Sequence, residues 1–263
     1  MIIDAHSHLE PLEEFSRQPG CSYGMPVATF ETYLADYEAN GIDACFAFGN
    51  KALWLESLMP ASNDGLARLR DKAPERIIPW GTVHPAWPEK KLRAEIRRAV
   101  KELGLCGLKF LPIVHGYPLT GVGMDVVAEE AIDLDIPVVF HDGSPEYCSA
   151  IQIAYYARKY PELQVLSGHG GLRELWPDFI DSVKELPNLW ICLSGPTQLG
   201  IQRLYDKLGP EKLLFGSDGG LGHRAVITAY LRRIEHLDAP SEHKEMILGR
   251  NALRLIKRVD NCS

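Results

Sequence analysis

Short apolar runs alternate along this chain with longer segments in which apolar residues recur at helical spacing. The runs have the length of buried strands and lie over about 2–8, 42–48, 76–83, 105–111, 136–141, 164–169, 189–193 and 213–218. Between the third and fourth runs, for example, Leu92, Ile96 and Val100 fall on one helical face. Helices are expected at about 30–40, 61–73, 88–103, 123–134, 147–159, 172–186, 197–207, 222–236 and 242–258.

This alternation predicts an α/β fold, built as a (β/α)8 TIM barrel. The strand-like runs are apolar at successive positions, as in parallel strands that are buried on both faces. Eight strand–helix units in 263 residues agree with the size of such barrels, typically about 250 residues. An open doubly wound sheet is the rival fold, but it has fewer strands and a glycine-rich first turn. We expect a single domain over residues 1–263, because no linker or repeat interrupts the pattern.

Composition narrows the range of partners. Hydrophobic residues make up 46% of the chain and charged residues 24%, and the formal net charge is −7, without a basic stretch. This charge argues against a nucleic-acid partner. No apolar run reaches the roughly 18 residues that suggest a membrane span, and the N-terminus lacks the pattern of a secretory leader. We expect a small-molecule substrate and no membrane partner, and we leave homo-oligomerisation open.

The cysteines favour a cytoplasmic location. None of the six forms a Cys-x-x-Cys pair, and Cys45, Cys106 and Cys192 lie in apolar, strand-like runs. Thiols in such positions usually act as small hydrophobic groups. We therefore expect reduced core cysteines, which are typical of cytoplasmic proteins.

Polar residues with metal-binding chemistry follow several of the predicted strands. His6 and His8 are two residues apart, so a strand places both side chains on one face, and neutral imidazoles there suit zinc. His141, His169 and Asp218 close the fifth, sixth and eighth runs. In a TIM barrel the carboxyl ends of the strands meet at one mouth, where catalytic groups lie. Each residue alone has a structural explanation, such as a helix cap for Asp218, but their joint placement favours a metal site.

With these residues in place, the chain resembles the amidohydrolase superfamily, and within it the amidohydrolase-related branch. That branch includes aminocarboxymuconate-semialdehyde decarboxylase and related lactonases and decarboxylases. The matching segments span nearly the whole chain, and they are Ile3-Asp4-Ala5-His6-Ser7-His8, Gly107-Leu108-Lys109-Phe110, Val139-Phe140-His141, Ser167-Gly168-His169-Gly170-Gly171, Phe215-Gly216-Ser217-Asp218 and Ile247-Leu248-Gly249-Arg250-Asn251-Ala252. One departure follows Asp218, where family members often have an acidic-aromatic-proline continuation and this chain has Gly219-Gly220-Leu221-Gly222.

The resemblance implies a metal site formed by His6, His8, His141 and Asp218. It implies that His169 contacts the metal-bound water or the substrate. Because the other four residues already fill four positions on a metal that needs one left open, we expect that His169 is not a ligand. We expect one divalent metal, zinc in the first place and manganese as the alternative.

Three functions are compatible with such a site. We expect a hydrolase, in which metal-activated water attacks an amide, ester or lactone carbonyl, Asp218 accepts its proton, and His169 orients the water or stabilises the oxyanion. The alternative is a non-oxidative decarboxylase of a small unsaturated or aromatic acid, with the same ligands. A non-catalytic metal-binding barrel is a third reading, which the absence of cysteine among the ligands disfavours.

Four further residues are expected to bind substrate. Lys109 lies within the fourth run, and we predict that it is an unmodified lysine beside a single metal. His84 follows the third run, and His223 and Arg224 lie beyond the eighth, where they could bind a substrate carboxylate. A solvated helix start is the competing explanation for the last two.

Overall fold

The computed structural model describes residues 1–12, 28–50, 53–173, 175–220 and 224–256. Within these residues the strands are β1 (Ile3–His8), β2 (Ala44–Phe48), β3 (Ile77–Trp80), β4 (Leu108–Phe110), β5 (Val138–Phe140), β6 (Val165–Ser167), β7 (Leu189–Cys192) and β8 (Leu213–Leu214). The helices are α1 (Phe30–Ala39), α2 (Met59–Lys72), α3 (Glu89–Lys101), α4 (Pro112–His115), α5 (Val122–Asp133), α6 (Ala150–Lys159), α7 (Pro177–Glu185), α8 (Gln198–Leu208), α9 (Arg224–Glu235), α10 (Ser241–Glu245) and α11 (Asn251–Ile256). A 3-10 turn over Glu56–Leu58 precedes α2, and a π-helical turn over Met246–Arg250 joins α10 to α11.

The strands form a closed parallel ring. Strands β1 to β3 pair in sequence order, and so do β4 to β8. Two parallel bridges join these sets, because Ser7 of β1 pairs with Gly219 beyond β8, and Gly81 beyond β3 pairs with Leu108 of β4. The (β/α)8 barrel predicted from the sequence is thereby confirmed.

Apolar side chains fill the barrel and close one of its ends. Phe46, Trp80 and Val139, from three different strands, belong to a single buried cluster. Ala252 of α11 belongs to the same cluster. The C-terminal helical segment therefore covers the end of the barrel at which β1 begins, and the opposite end is left for the functional groups.

A bulge in β1 turns two histidines into the barrel. Ile3 and Ala5 belong to the interior cluster, so strict alternation would point His6 and His8 away from it. The register of β1 against β2 shifts in the middle of the strand, however. A bulge re-aims the side chains that follow it, and His6 packs edge-on against Phe48 with ring centroids 5.1 Å apart.

Two details differ from the sequence predictions. Helix α4 was not expected, although Pro112 at its start and Gly116 in a left-handed conformation after its end (φ +60°) are common helix boundaries. Strand β8 covers only Leu213–Leu214, where a run to residue 218 was expected, because the chain beyond it turns sharply at Asp218 (φ +55°).

The cysteines follow the prediction in part. Cys45, Cys148 and Cys192 are free and buried, as expected for hydrophobic thiols. Cys106 is disulfide-bonded, so the prediction that it is reduced is wrong, because pairing depends on positions distant in sequence. In the described part of the chain, none of the helices has the length and apolar character needed to cross a membrane.

Candidate metal centre and active site

The end of β1 presents two imidazoles to the carboxylate that follows β8. His6 is completely buried and His8 is 8% exposed. Their Nε2 atoms lie 3.4 and 3.2 Å from the same Oδ1 atom of Asp218. Among the described residues, neither Nδ1 atom has a hydrogen-bond partner, although both are buried. The Nε2 atoms, which converge on one carboxylate oxygen, are the nitrogens that would bind a metal beside Asp218.

Glycines after β8 allow the close approach that places Asp218. The backbone N–H of Asp218 donates to the carbonyl of His6 at 2.8 Å, and that of His8 donates to the carbonyl of Gly219 at 2.8 Å. Gly220 has φ +88°, and a Cβ atom there would lie 1.7 Å from the carbonyl oxygen of His8. The Gly219-Gly220 pair that departs from the family pattern therefore has a steric reason in this chain.

Asp4 ties the ends of β1 and β8 together from behind the site. Its buried carboxylate accepts hydrogen bonds from the backbone N–H of His6 at 3.0 Å and of Ser217 at 2.9 Å. It also accepts from the hydroxyls of Ser217 and Tyr37. Burial raises the pKa of Asp4 to about 6, despite these hydrogen bonds. Asp4 thus fixes the backbone that carries His6 and Asp218.

A chain of hydrogen bonds orients the histidines that follow β5 and β6. The hydroxyl of Ser194 donates to the carbonyl of Gly168 at 2.9 Å, so it accepts from Nδ1–H of His169, which lies 2.9 Å away. Nε2 of His169 then carries a lone pair, which faces Nδ1 of His141 at 2.7 Å. The Asp142 carboxylate holds the backbone of this turn by accepting from the N–H of His169 at 2.6 Å.

The five residues expected around the metal form one connected cluster. Potential ligand atoms of His6, His169 and Asp218 all lie within 4.8 Å of one another. His8 joins the cluster through Asp218, and His141 joins it through His169. The structure therefore brings His169 as close to His6 and Asp218 as a ligand would be. Its assignment outside the ligand set remains a prediction.

The charge states of these residues suit a divalent cation. Burial, together with the nearby positive charge of Lys109, holds the pKa of His6 well below its ordinary value, and burial does the same for His141. Burial alone would raise the pKa of Asp218, but the hydrogen bond from His8 and the surrounding imidazoles bring it well below its ordinary value. Neutral imidazoles beside an ionised carboxylate are the forms that bind metals.

Lys109 adds a buried cation to the cluster. It is 1% exposed, with Nζ 3.2 Å from Nε2 of His6 and 4.7 Å from the centroid of the Phe48 ring. Burial lowers the pKa of Lys109 to about 8, although the carboxylates of Asp218 and Asp142 oppose the shift. A partly desolvated ammonium of this kind can pair with a substrate carboxylate.

His84, His223 and Arg224 are the other residues expected to bind substrate, and the structure gives detailed contacts for His84 alone among them. Both ring nitrogens of His84 have protein partners, because Nδ1 accepts from the N–H of Ala86 and Nε2 lies 3.1 Å from the carbonyl of His115. His223 is outside the described residues, and Arg224 is described only as the first residue of α9.

His115 is not among the residues that the sequence singles out. This residue is 9% exposed, and neither ring nitrogen has a hydrogen-bond partner among the described residues. The boundaries of α4, Pro112 and Gly116, were the one available signal that the segment is ordered.

Comparison with known proteins identifies the family. A family model described as amidohydrolase matches residues 3–258, so the chain belongs to the amidohydrolase family. Among curated proteins it is similar to the 2-amino-3-carboxymuconate-6-semialdehyde decarboxylase of Dictyostelium discoideum, with 24% identity over 235 residues, covering 74% of this chain. The chain spans 65% of the length of that relative. The resemblance drawn from the sequence is confirmed.

Solved structures of decarboxylases share the fold. The 5-carboxyvanillate decarboxylase of Sphingomonas paucimobilis superposes with a TM-score of 0.74 and 18% identity, over 97% of this chain and 98% of that one. The 5-carboxyvanillate decarboxylase of Novosphingobium aromaticivorans, solved with bound manganese, gives 0.73 and 17% identity over 98% and 97% of the two chains. At this identity the likeness concerns the fold.

Proposed function

We propose that this protein is a metal-dependent, non-oxidative decarboxylase of a small unsaturated or aromatic carboxylic acid. The observation that carries the proposal is the buried cluster of imidazoles and one carboxylate, with the Lys109 ammonium 3.2 Å from His6. The curated relative and the two solved structures are all named as decarboxylases. The hydrolase expected from the sequence is not confirmed, and the alternative considered beside it has the better support.

In this proposal His6, His8, His141 and Asp218 hold the metal. The convergence of the Nε2 atoms of His6 and His8 on Oδ1 of Asp218 supports this set, and so do the lowered pKa values of His6 and His141. When bound, a divalent cation supplies a Lewis acid for the carboxylate of the substrate. Zinc and manganese both accept imidazole and carboxylate ligands, and the manganese in one structural relative favours testing both.

The chain's own residues then bind the acid and replace its carboxylate by a proton. The Lys109 ammonium pairs with the carboxylate of the acid and orients it. When the bond to the carboxyl carbon breaks, carbon dioxide leaves and the electron pair stays on the substrate carbon. Nε2 of His169, which carries a lone pair in the structure, takes up a proton from solvent and delivers it to that carbon, while Nδ1–H keeps its hydrogen bond to Ser194. The overall change consumes one proton and needs no oxidant.

Release of carbon dioxide is the test of this proposal. Protein supplied with zinc or manganese is incubated with a panel of unsaturated and aromatic carboxylic acids, amides, esters and lactones. We expect carbon dioxide from at least one acid. His169→Asn should keep its metal and lose turnover by roughly 10²-fold or more, the usual scale for a proton-transfer group. The exposed His236, changed to Asn, serves as the matched control and should leave both unchanged.

Two outcomes would contradict the proposal. Hydrolysis of an amide, ester or lactone without carbon dioxide release would restore the hydrolase. Loss of metal from His169→Asn would make His169 a ligand. The proposal includes a small-molecule substrate as partner, without nucleic acid or membrane.

A further inference from the structure

A cavity lies at the same end of the barrel as the metal centre. It has a volume of about 250 Å³, and its walls come from the segments after β2, β3 and β4. Those segments all follow the carboxyl ends of their strands. The apolar part of the wall is formed by Leu53, Trp54, Leu55, Met59 and Val114. A cavity of about 150 Å³ can hold benzene, so this one has room for a substituted ring.

His84 and His115 line this cavity in different ways. Nδ1 of His84 accepts from the backbone N–H of Ala86 at 3.1 Å, which leaves the proton on Nε2. That Nε2–H donates to the carbonyl of His115 at 3.1 Å. His84 is therefore occupied by the protein, and it holds the end of α4 against the turn after β3.

His115 is the polar group that the protein leaves for a ligand. Its side chain is buried between the rings of His84 and Phe110, with centroids 5.4 and 6.4 Å away. Neither ring nitrogen has a partner in the part of the chain that the structure describes. Burial, with the charges of His84 and Lys109, lowers the pKa of His115 to about 3. The ring is neutral at pH 7 and offers one donor and one acceptor.

The surroundings indicate which ligand groups fit. The carboxylate of Glu56 lies at the rim, 3.8 Å from Nε2 of His84, and its side chain is 64% exposed. Glu56 would repel an anionic ligand group, and the neutral imidazole of His115 would not offset this repulsion. A hydroxyl group can donate to and accept from His115, while an apolar ring contacts the walls.

We propose that this cavity binds the uncharged, hydroxyl-bearing end of the substrate, and that His115 is the residue that recognises the hydroxyl. The inference rests on the proposed decarboxylase function, because it places the other end of the same acid at the metal centre. Strand β4 and helix α4 link the two places: Nζ of Lys109 on β4 lies 3.2 Å from His6, and His115 ends α4, which begins two residues after β4. His115 is thus expected to determine substrate specificity.

Binding of phenol and toluene to the full chain tests the cavity without any turnover. The two molecules have similar shapes, and only phenol has a hydroxyl. Wild-type protein should prefer phenol by about tenfold, which corresponds to one hydrogen bond of about 1.4 kcal/mol. His115→Phe removes both nitrogens and should abolish the preference. His115→Gln keeps a donor and an acceptor and should retain most of it, and His236→Phe should behave like wild type.

Kinetics then separate this inference from the proposed function. For an acid that releases carbon dioxide, His115→Phe should raise KM for the hydroxylated acid by about tenfold relative to its deoxy analogue, with kcat retained. If His115→Phe loses the preference for phenol but wild-type protein decarboxylates none of the acids, the results would support the proposed cavity and refute the proposed decarboxylase function. Decarboxylation with unchanged KM in His115→Phe would overturn the inference.

A measurement on the wild-type protein covers the case in which His115→Phe does not fold. The imidazole ¹⁵N signals of His115, assigned by their loss in His115→Gln, should shift when phenol is added and stay in place when toluene is added. Equal binding of phenol and toluene to wild type, or no shift with phenol, would overturn the inference.

Discussion

Glu130→Gln tests a buried carboxylate of the outer helical layer that pairs with two arginines. The Glu130 side chain is completely buried on α5, and it accepts from Nε and Nη2 of Arg97 at 2.5 and 2.9 Å and from Nη1 of Arg93 at 2.9 Å. Glutamine can accept through one oxygen only, and its amide group then faces a guanidinium donor. Hydrogen bonds to charged groups contribute about 1.5–3 kcal/mol each. Because the arginines are partly exposed, screening reduces the expected total loss to about 2 kcal/mol.

This loss should appear as a lower melting temperature at neutral pH. For a chain of this size, about 1 kcal/mol corresponds to about 2–4 °C, so thermal unfolding should show a decrease of about 4–8 °C. Glu129→Gln is the matched control, because Glu129 is 57% exposed and, within the described part of the chain, forms a single ion pair, with Arg93 at 2.6 Å. It should cost no more than about 0.5 kcal/mol.

The same variant should also change the response to acid. Burial alone would raise the pKa of Glu130, but the hydrogen bonds from Arg97 and Arg93 lower it on balance from its ordinary value of 4.5. A carboxyl whose pKa is lower in the folded state stabilises the protein above its unfolded pKa. That stability is lost as the pH falls through the folded pKa. The difference in melting temperature should be constant near neutral pH and shrink below pH 4.5. A difference that is absent at pH 7, or equal at every pH, would refute this reasoning.

Three further substitutions test the site. Ser194→Ala leaves Nδ1–H of His169 without its acceptor. The expected loss of about 1–3 kcal/mol corresponds to a decrease in kcat of about 5- to 150-fold, and an unchanged kcat would contradict the assigned hydrogen-bond chain. Gly220→Ala, which brings a Cβ to 1.7 Å from the His8 carbonyl, should lower both metal content and melting temperature, and a variant with full metal would argue against the required approach. Lys109→Met should retain metal while KM for the acid rises by about tenfold or more; an unchanged KM would remove Lys109 from substrate binding.

The positions of the site residues could be predicted because the apolar runs end where the polar residues begin. A parallel barrel brings the carboxyl ends of all its strands to one mouth, so residues as far apart as His6 and Asp218 could be placed together without any knowledge of contacts. The prediction that His6 and His8 share a face is also correct. Alternation alone, however, would have turned both away from the interior, and the bulge that reorients them has no signal in the sequence.

Asp4 and Ser194, which hold the site residues in place, could not be predicted from the sequence. Asp4 binds the backbone of Ser217 across 213 positions, and Ser194 reaches His169 across 25. Serine and aspartate are common near turns and caps, so their type indicates nothing about such distant partners. His115 could not be predicted because its importance lies in two buried ring nitrogens that have no partner among the described residues. Burial at a strand-end loop cannot be inferred from periodicity.

Metal content of the purified protein tests the central claim most directly. Elemental analysis should find about one divalent metal per wild-type chain and per His236→Ala chain, since His236 is exposed and lies just beyond the last residue of α9. His6→Ala should hold far less, because it removes a fully buried imidazole whose Nε2 lies 3.4 Å from Asp218. Folded His6→Ala protein with the wild-type amount of metal would contradict the assignment of this cluster as a metal centre.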